Sequence, residues 1–359
     1  MLFRFRDGDT RVEALVGARS IYAVQSQIDA FRERLGQAED VMTSLHRFLP
    51  WVSMSNELPV ALLLRRSHEL YGVVLLYYRQ RYGIPIGLAQ AGNLGGQGGV
   101  IAAAADRVAA METASRVLLR SSLAHTVVLS TLWTDKTVPG PNLPVAGVRG
   151  QWHFREVRLR LDLSRGLEAT MGRLGQKMRR NLRYYRRRAE SEFGCRFLPE
   201  LTPEQRRQAV GVLFDKGRYP TKARRAWRLE AALQAIPGHF AMGLQDAQGD
   251  WLSYVTGWRD TDGTSIEWQL NRDHHENASI STVMRSYLLE HEAERGSPAI
   301  IFVGETAPFW SRVCEPSICG DLLATREGVI GNIAQKLMCR VSPMGQVAKL
   351  HARATSAMV

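Results

Sequence analysis

In GLEATMGRLGQKMRRNLRYYRRRAESEFG (166–194) the apolar positions Leu167, Met171, Leu174, Met178, Leu182, Tyr185 and Ala189 follow one another at steps of three or four. That spacing makes one apolar stripe on a helix, and the arginines fall largely on the other faces. Ser164 stands three residues ahead as a cap and Gly194 follows Phe193 as a stop. The pattern predicts a single helix of about seven turns docked on a core.

The flanking segments read as an ordered series. FREVRLRLDL (154–163) puts Val157, Leu159, Leu161 and Leu163 on one face and Arg158, Arg160 and Asp162 on the other, a half-exposed strand. Thr202 caps a second helix that Pro203 opens and that runs to about Lys216. FAMGLQD (240–246), WLSYVTGWRD (251–260) and SIEWQLNRD (265–273) are three strands parted by DAQGD and TDG turns, a β-meander. A helix over Ser281 to Arg295 and a short apolar strand, AIIFVG (299–304), complete this block.

In the first half, YGVVLLYY (71–78) reads as a buried strand, RQRYG as a turn and IPIGLAQ (84–90) as another strand. A glycine-rich loop, a helix over Val100 to Leu119 and a strand over His125 to Leu132 follow. The order is mixed α/β (α+β). VPGPNLP (138–144) holds three prolines and a glycine, which break helix and sheet alike, so a domain junction is placed there. The expected parts are 1–145, 146–330 and a basic tail, 331–359.

With 359 residues the chain has room for two domains, and 45% hydrophobic residues is ordinary for a globular protein. A net charge of +12 favours acidic partners: a nucleotide cofactor, nucleic acid, an anionic membrane surface or an anionic substrate. Residues 172–188 carry eight basic side chains, no acid and two tyrosines, a composition that phosphate backbones and stacked bases also suit. Cys195, Cys314, Cys319 and Cys339 have no C-x-x-C spacing and read as reduced thiols of a cytoplasmic protein. MLFRFRDGDTRVEALVG does not read as a signal peptide, and no stretch approaches the length of a bilayer span. No metal-ligand spacing and no P-loop lysine occur. GNLGGQGG (92–99) ahead of a helix leaves two readings, a phosphate cradle or a flexible turn.

At the level of motifs, LDLSRGLEATMGRLGQKMRRNLRYYRRRAESEFG resembles the opening of the acetyltransferase domain of bacterial cellulose- and exopolysaccharide-associated proteins. WLSYVTGWRDTDGTSIEWQLNRD and SISTVMRSYLLEHEAERGSPAIIFVGET are similar to that family's hairpin and its helix–strand segment, so the resemblance covers roughly residues 155–315. The resemblance implies tandem GNAT-like units with mixed central sheets flanked by helices, a layout shared with Fem-type aminoacyl-tRNA-dependent transferases. It also implies transfer of an acyl group from acyl-CoA, or an acyl carrier protein, to an amine or hydroxyl of a small-molecule or saccharide acceptor, with no metal.

Under that resemblance the donor's phosphates are expected at the start of the 281–295 helix, among Asn277, Ser279 and Ser281. Gln269 and Asn271 on the neighbouring strand, and Arg180, join the cofactor-binding set. A backbone N–H on Ile266 to Asn271 is the expected oxyanion donor. Glu267, His275 and Glu305 are the candidate catalytic bases, with His274 beside them, because a buried carboxylate or a histidine takes a proton near neutral pH. Alternation places Glu267 on the face opposite Ile266 and Trp268. Where the family often has a glycine before that helix, this chain has Ala278-Ser279-Ile280-Ser281. Two alternatives stay open: a Fem-like transferase whose arginines hold tRNA, and a non-catalytic GNAT-shaped binding protein. Peripheral membrane contact is a further expected partner.

Overall fold

The structure, a computed structural model, describes residues 1–38, 40–92, 98–121, 124–133, 148–216, 233–234, 236–272, 279–302 and 312–326. The predicted junction at 138–144, most of the GNLGGQGG loop and the tail from 331 lie outside them. Two compact units are present, one formed by Met1–Arg155 with the chain from Ile318 onward, the other by Glu156–Ser317.

The first unit opens with β1 (Leu2–Asp7), β2 (Thr10–Val16), α1 (Ala18–Tyr22), α2 (Gln25–Arg34) and α3 (Leu45–Met54). β3 (Leu58–Arg66), β4 (Glu69–Arg81), β5 (Ile84–Gly92), β6 (Gly99–Ala102), α4 (Ala104–Arg120) and β7 (Thr126–Trp133) follow. β1 to β5 form an antiparallel ladder, β7 lies parallel to β5, and β6 pairs with β4. PVALLL and YGVVLLYY have no polar face because both faces of the sheet are covered. Leu62, Leu64 and Val74 pack with Met111, Ala114 and Leu118 of α4, whereas Leu63, Val73 and Leu75 pack with Ile28, Phe48 and Val52 of α2 and α3.

β8 (Val148–Asp162) leads into the second unit. It continues as α5 (Gly166–Arg173), α6 (Gln176–Phe193), β9 (Arg196–Leu198), α7 (Pro203–Lys216), β10 (His239–Gln245), β11 (Trp251–Asp260) and β12 (Gly263–Asn271). α8 (Ile280–Glu294) and β13 (Ala299–Phe302) complete it. β14 (Glu315–Arg326) returns from Ile318 to the first unit, where it pairs antiparallel with β7. β9 to β12 are antiparallel, and β13 is parallel to β12 and antiparallel to β8. In both units three antiparallel strands lead through a helix to a strand parallel to the third. This repeat is the tandem GNAT-like order.

Three expectations are corrected. The single helix over 165–193 is two, because Leu174 is extended (φ −71, ψ 139) and Gly175 follows it. Glycines 172 and 175 weaken the helix locally, and the Arg179 guanidinium bonds the freed Met171 and Gly172 carbonyls at 3.4 and 3.2 Å. Ser164 caps nothing; Asp162 accepts its N–H in a turn at 3.0 Å. Finally, Val100 and Ile101 belong to β6 rather than to the α4 helix. Gly194 does stop α6, at φ 57. Thr202 and Gln205 form a reciprocal capping box at 2.9 and 3.2 Å.

Candidate functional site

The meander strand SIEWQLN contains a β-bulge. Gly257 of β11 pairs with Ile266, yet its neighbour Thr256 pairs with Trp268, so Glu267 is the extra residue. A bulge reverses the alternation of side chains beyond it. Ile266 packs in the cluster with Val283 and Met284 of α8, whereas Trp268 and Leu270 pack with Tyr254 and the α7 residues Val210 and Leu213. Ile266 and Trp268 therefore do not share a face, contrary to the regular alternation expected from the sequence. The same reversal turns Gln269 and Asn271 toward α8. Gly257 permits the bulge: a Cβ there would stand 1.8 Å from the Ser265 carbonyl oxygen and 3.2 Å from the Glu267 nitrogen.

Pairing of β12 with β11 continues past the bulge to Asn271, and its parallel pairing with β13 runs, among the described residues, from Thr264↔Ile300 to Ile266↔Phe302.

Polar side chains collect where the end of β12 meets the start of α8. Gln269 Nε2 donates to Asn271 Oδ1 at 3.0 Å and to the Ser281 carbonyl at 3.4 Å, and Ser253 Oγ donates to Asn271 Oδ1 at 2.9 Å. Arg285, one turn into α8, donates through Nε to Gln269 Oε1 at 3.3 Å. Burial pulls its pKa below the ordinary guanidinium value, and Cys314 opposes the shift; an arginine stays cationic at neutral pH all the same. Ser279, the N-cap, is left-handed (φ 46), and its side chain caps no amide but meets the Thr282 hydroxyl at 2.7 Å. The Thr282 and Val283 amides bond the Ser279 carbonyl at 2.7 and 3.1 Å, while those of Ile280 and Ser281, at the first positions of the helix, have neither an intrahelical acceptor nor a side-chain cap among the described residues.

The structure accordingly brings Gln269, Asn271 and Ser281 into one hydrogen-bonded group, with half-buried Glu267 on the same strand and Ser279 at the helix start. Arg180 lies elsewhere, exposed on α6, and bonds none of them. His274, His275, Asn277 and Glu305 lie outside the described residues. Arg285 was not anticipated from the sequence. Its signal was a lone arginine one turn into an otherwise neutral helix start.

Other titratable groups of this unit have structural employment. His239 accepts from Arg206 through Nδ1 at 3.0 Å and donates through Nε2 to Thr256 at 2.9 Å, whose own hydroxyl bonds the Phe240 carbonyl. Burial first, and then the Arg206 charge, push its pKa down to about 4. Fully buried Glu292 takes a bidentate contact from Arg259 (2.8 and 3.2 Å to Oε1) and a short bond from Thr264. Burial pushes the Cys195 thiol up to about 11, which suits no nucleophile. Among the described residues no group of three or more His, Cys, Asp or Glu could hold a metal ion.

The basic helix divides by partner. Arg179 bonds the end of α5, Arg188 pairs with Glu192 at 2.7 Å, and Arg186 ties α6 to α8 through Glu290 while lying 4.1 Å over the Tyr287 ring. Lys177, Arg180, Arg183 and Arg187 are exposed and make no ion pair among the described residues, with exposed Tyr184 among them. Leu167, Met171, Leu182 and Leu289 floor a groove of about 550 Å³ beside Arg179, Arg183 and Arg186.

No family model and no curated protein matches this chain. Its fold is shared with solved structures. FemX is similar with a TM-score of 0.58 and 10% identity, over 83% of this chain and 95% of that one. L-PGS from Bacillus licheniformis is similar with a TM-score of 0.52 and 13% identity, over 88% of this chain and 96% of its own. A tandem GNAT protein from the clavulanic acid biosynthesis pathway is similar more loosely, with a TM-score of 0.46 and 13% identity over 89% and 99% of the two chains.

Proposed function

We propose that this chain is an acyltransferase that moves an acyl group from a coenzyme A or acyl-carrier thioester to an amine or hydroxyl, with a saccharide as one acceptor class. The observation that carries the reading is the bulge at Glu267, which turns Gln269 and Asn271 toward the start of α8, where no side chain caps the helix. An extended thioester arm laid along this end of β12 would meet its backbone donors.

The donor supplies an activated carbonyl. The first amides of α8 suit its phosphates, with the Arg285 guanidinium one turn further in. N–H groups of residues 267–271 donate to the carbonyl oxygen as negative charge develops on it. Glu267 takes the proton of the attacking amine or hydroxyl, with His275 and Glu305 as further candidates for that role. The acceptor oxygen or nitrogen bonds the acyl carbon, the carbon–sulfur bond breaks, and the thiolate leaves with a proton. The test is thiol release from acetyl- and long-chain acyl-CoA in the presence of amine and amino-sugar acceptors, for the wild type and Glu267→Gln. Acceptor-dependent release that Glu267→Gln abolishes supports the reading, and no release with any donor rejects it.

A second reading, an aminoacyl-tRNA donor, is favoured by one observation: Lys177, Arg180, Arg183 and Arg187 stand free of carboxylates around Tyr184. The likeness of fold to FemX agrees with it. Binding to tRNA that falls steeply with salt supports it, and indifference to tRNA removes it.

A further inference from the structure

The β4–β5 hairpin of the first unit carries an exposed apolar tip. Pairing of β4 with β3 stops at Leu58↔Tyr78, and pairing of β5 with β7 starts at Leu88↔Thr126. Among the described residues, 79–86 therefore take strand pairs only with each other, through Gln80↔Pro85 and Arg81↔Ile84. They extend beyond the sheet as a two-stranded ribbon. Tyr82 and Gly83 both have positive φ (52 and 77), the type I′ turn that two-residue hairpins use.

Ribbons of two strands are marginal by themselves in water, and this one is braced at its base. Arg79 donates to Gln90 at 2.8 Å and to Glu57 at 3.3 Å, and Glu57 also accepts the Gln80 N–H at 2.7 Å. On the other strand the Gly87 carbonyl accepts the His125 N–H at 2.7 Å, and a Cβ at Gly87 would meet the His125 ring at 2.6 Å. The base is fixed, yet the tip is bare. Tyr82 is 91% exposed, Ile84 68% and Ile86 55%. Arg81 lies 5.5 Å over the Tyr82 ring and pairs with no carboxylate among the described residues.

We infer that this tip inserts into an anionic lipid surface. Tyr82, Ile84 and Ile86 follow at a spacing of two, which puts the two isoleucines on one side of the ribbon with the tyrosine at its end. A tyrosine with an apolar body and polar hydroxyl suits the boundary between headgroups and acyl chains. Three or four residues of strand reach about 10 Å, the depth of that boundary. An unpaired arginine beside the ring, on a chain of net charge +12, supplies attraction to anionic headgroups. A convex tip of three side chains offers far less than the roughly 800 Å² per partner that a stable protein–protein interface needs, which sets lipid ahead of a second copy. Among the described residues no helix is long and apolar enough to cross a membrane, and the contact inferred is peripheral.

The test is co-sedimentation of the full chain with phosphatidylglycerol-containing and with pure phosphatidylcholine vesicles, alongside the triple variant Tyr82→Ser, Ile84→Ser, Ile86→Ser. The expected result is binding to the anionic vesicles that the triple variant weakens by about tenfold or more, that Arg81→Glu weakens, and that Tyr82→Trp retains. Because the substituted side chains are exposed, the melting temperature of each variant should match the wild type, which separates lost binding from lost folding. Absence of binding by the wild type, or equal binding by wild type and triple variant, overturns the inference. So does a wild-type dimer in sedimentation that becomes monomeric in the triple variant, since the tip then belongs to a second copy.

Discussion

Gly257 pairs with Ile266 at the β11–β12 bulge, where the bare glycine lets the strand carry its extra residue, Glu267, beside that pair. A methyl group at 257 would lie 1.8 Å from the Ser265 carbonyl oxygen and 3.2 Å from the Glu267 nitrogen. The backbone of the candidate site is thus held in place by the absence of a side chain on the strand beside it.

Gly257→Ala must push β11 away from β12 or flatten the bulge. The expected cost is about 1–3 kcal/mol, as for overpacking, with any transfer activity falling further than stability does. Urea denaturation and thiol release on the same preparation check this. A variant as stable and as active as the wild type would show that the bulge does not need the glycine.

For Glu267→Gln the expectation is a folded protein with the wild-type melting temperature and a rate lower by about 10²–10⁴, the range of one general base. Thiol release under saturating acceptor measures it. A rate within a factor of two of wild type would remove Glu267 from the chemistry.

His239 makes stability pH-dependent. Its pKa falls from an ordinary 6.5 to about 4 in the folded chain, so between those values the unfolded chain binds a proton that the folded one refuses. Stability is then full above about pH 6.5 and declines as pH falls toward 4. Burial shifts His291 in the same direction, so it adds to the loss of stability as pH falls. His239→Gln, whose amide keeps a donor and an acceptor, should make the urea midpoint fall less over that range; an unchanged slope would refute the assignment.

Removing one partner of the Arg259–Glu292 pair leaves a buried charge. Glu292→Ala should cost about 3–5 kcal/mol, because it strips the largely buried Arg259 guanidinium of its carboxylate and the buried Thr264 hydroxyl of its acceptor. Chemical denaturation reads this directly, and a loss under 1 kcal/mol would mean that the site rehydrates.

Much of the second unit was legible because its signals are local. Thr202, Pro203 and Gln205 announce α7, and Gly194 ends α6, each through chemistry contained within a few residues. The bulge was not legible, since SIEWQLN alternates as a regular strand does and the reason for the irregularity, Gly257, lies on the neighbouring strand. The break between α5 and α6 was missed because Leu174 stays buried on the apolar stripe although its backbone leaves the helix. In the first unit, β3 and β4 lie buried on both faces, so their sequences carry no alternation from which to read partners. β14 has Gly320 and buried Asp321 in its centre, residues that argue against a strand until β7 is placed beside them.

The central claim is that the acyl donor binds along the end of β12 at the start of α8. Hydrogen–deuterium exchange of the full chain, with and without saturating acetyl-CoA and a long-chain acyl-CoA, tests it by position. The account predicts slower exchange at residues 267–271 and in the first turns of α8, lost in Arg285→Leu. Protection confined to the first unit, or none at all while thiol is released with turnover, would contradict it.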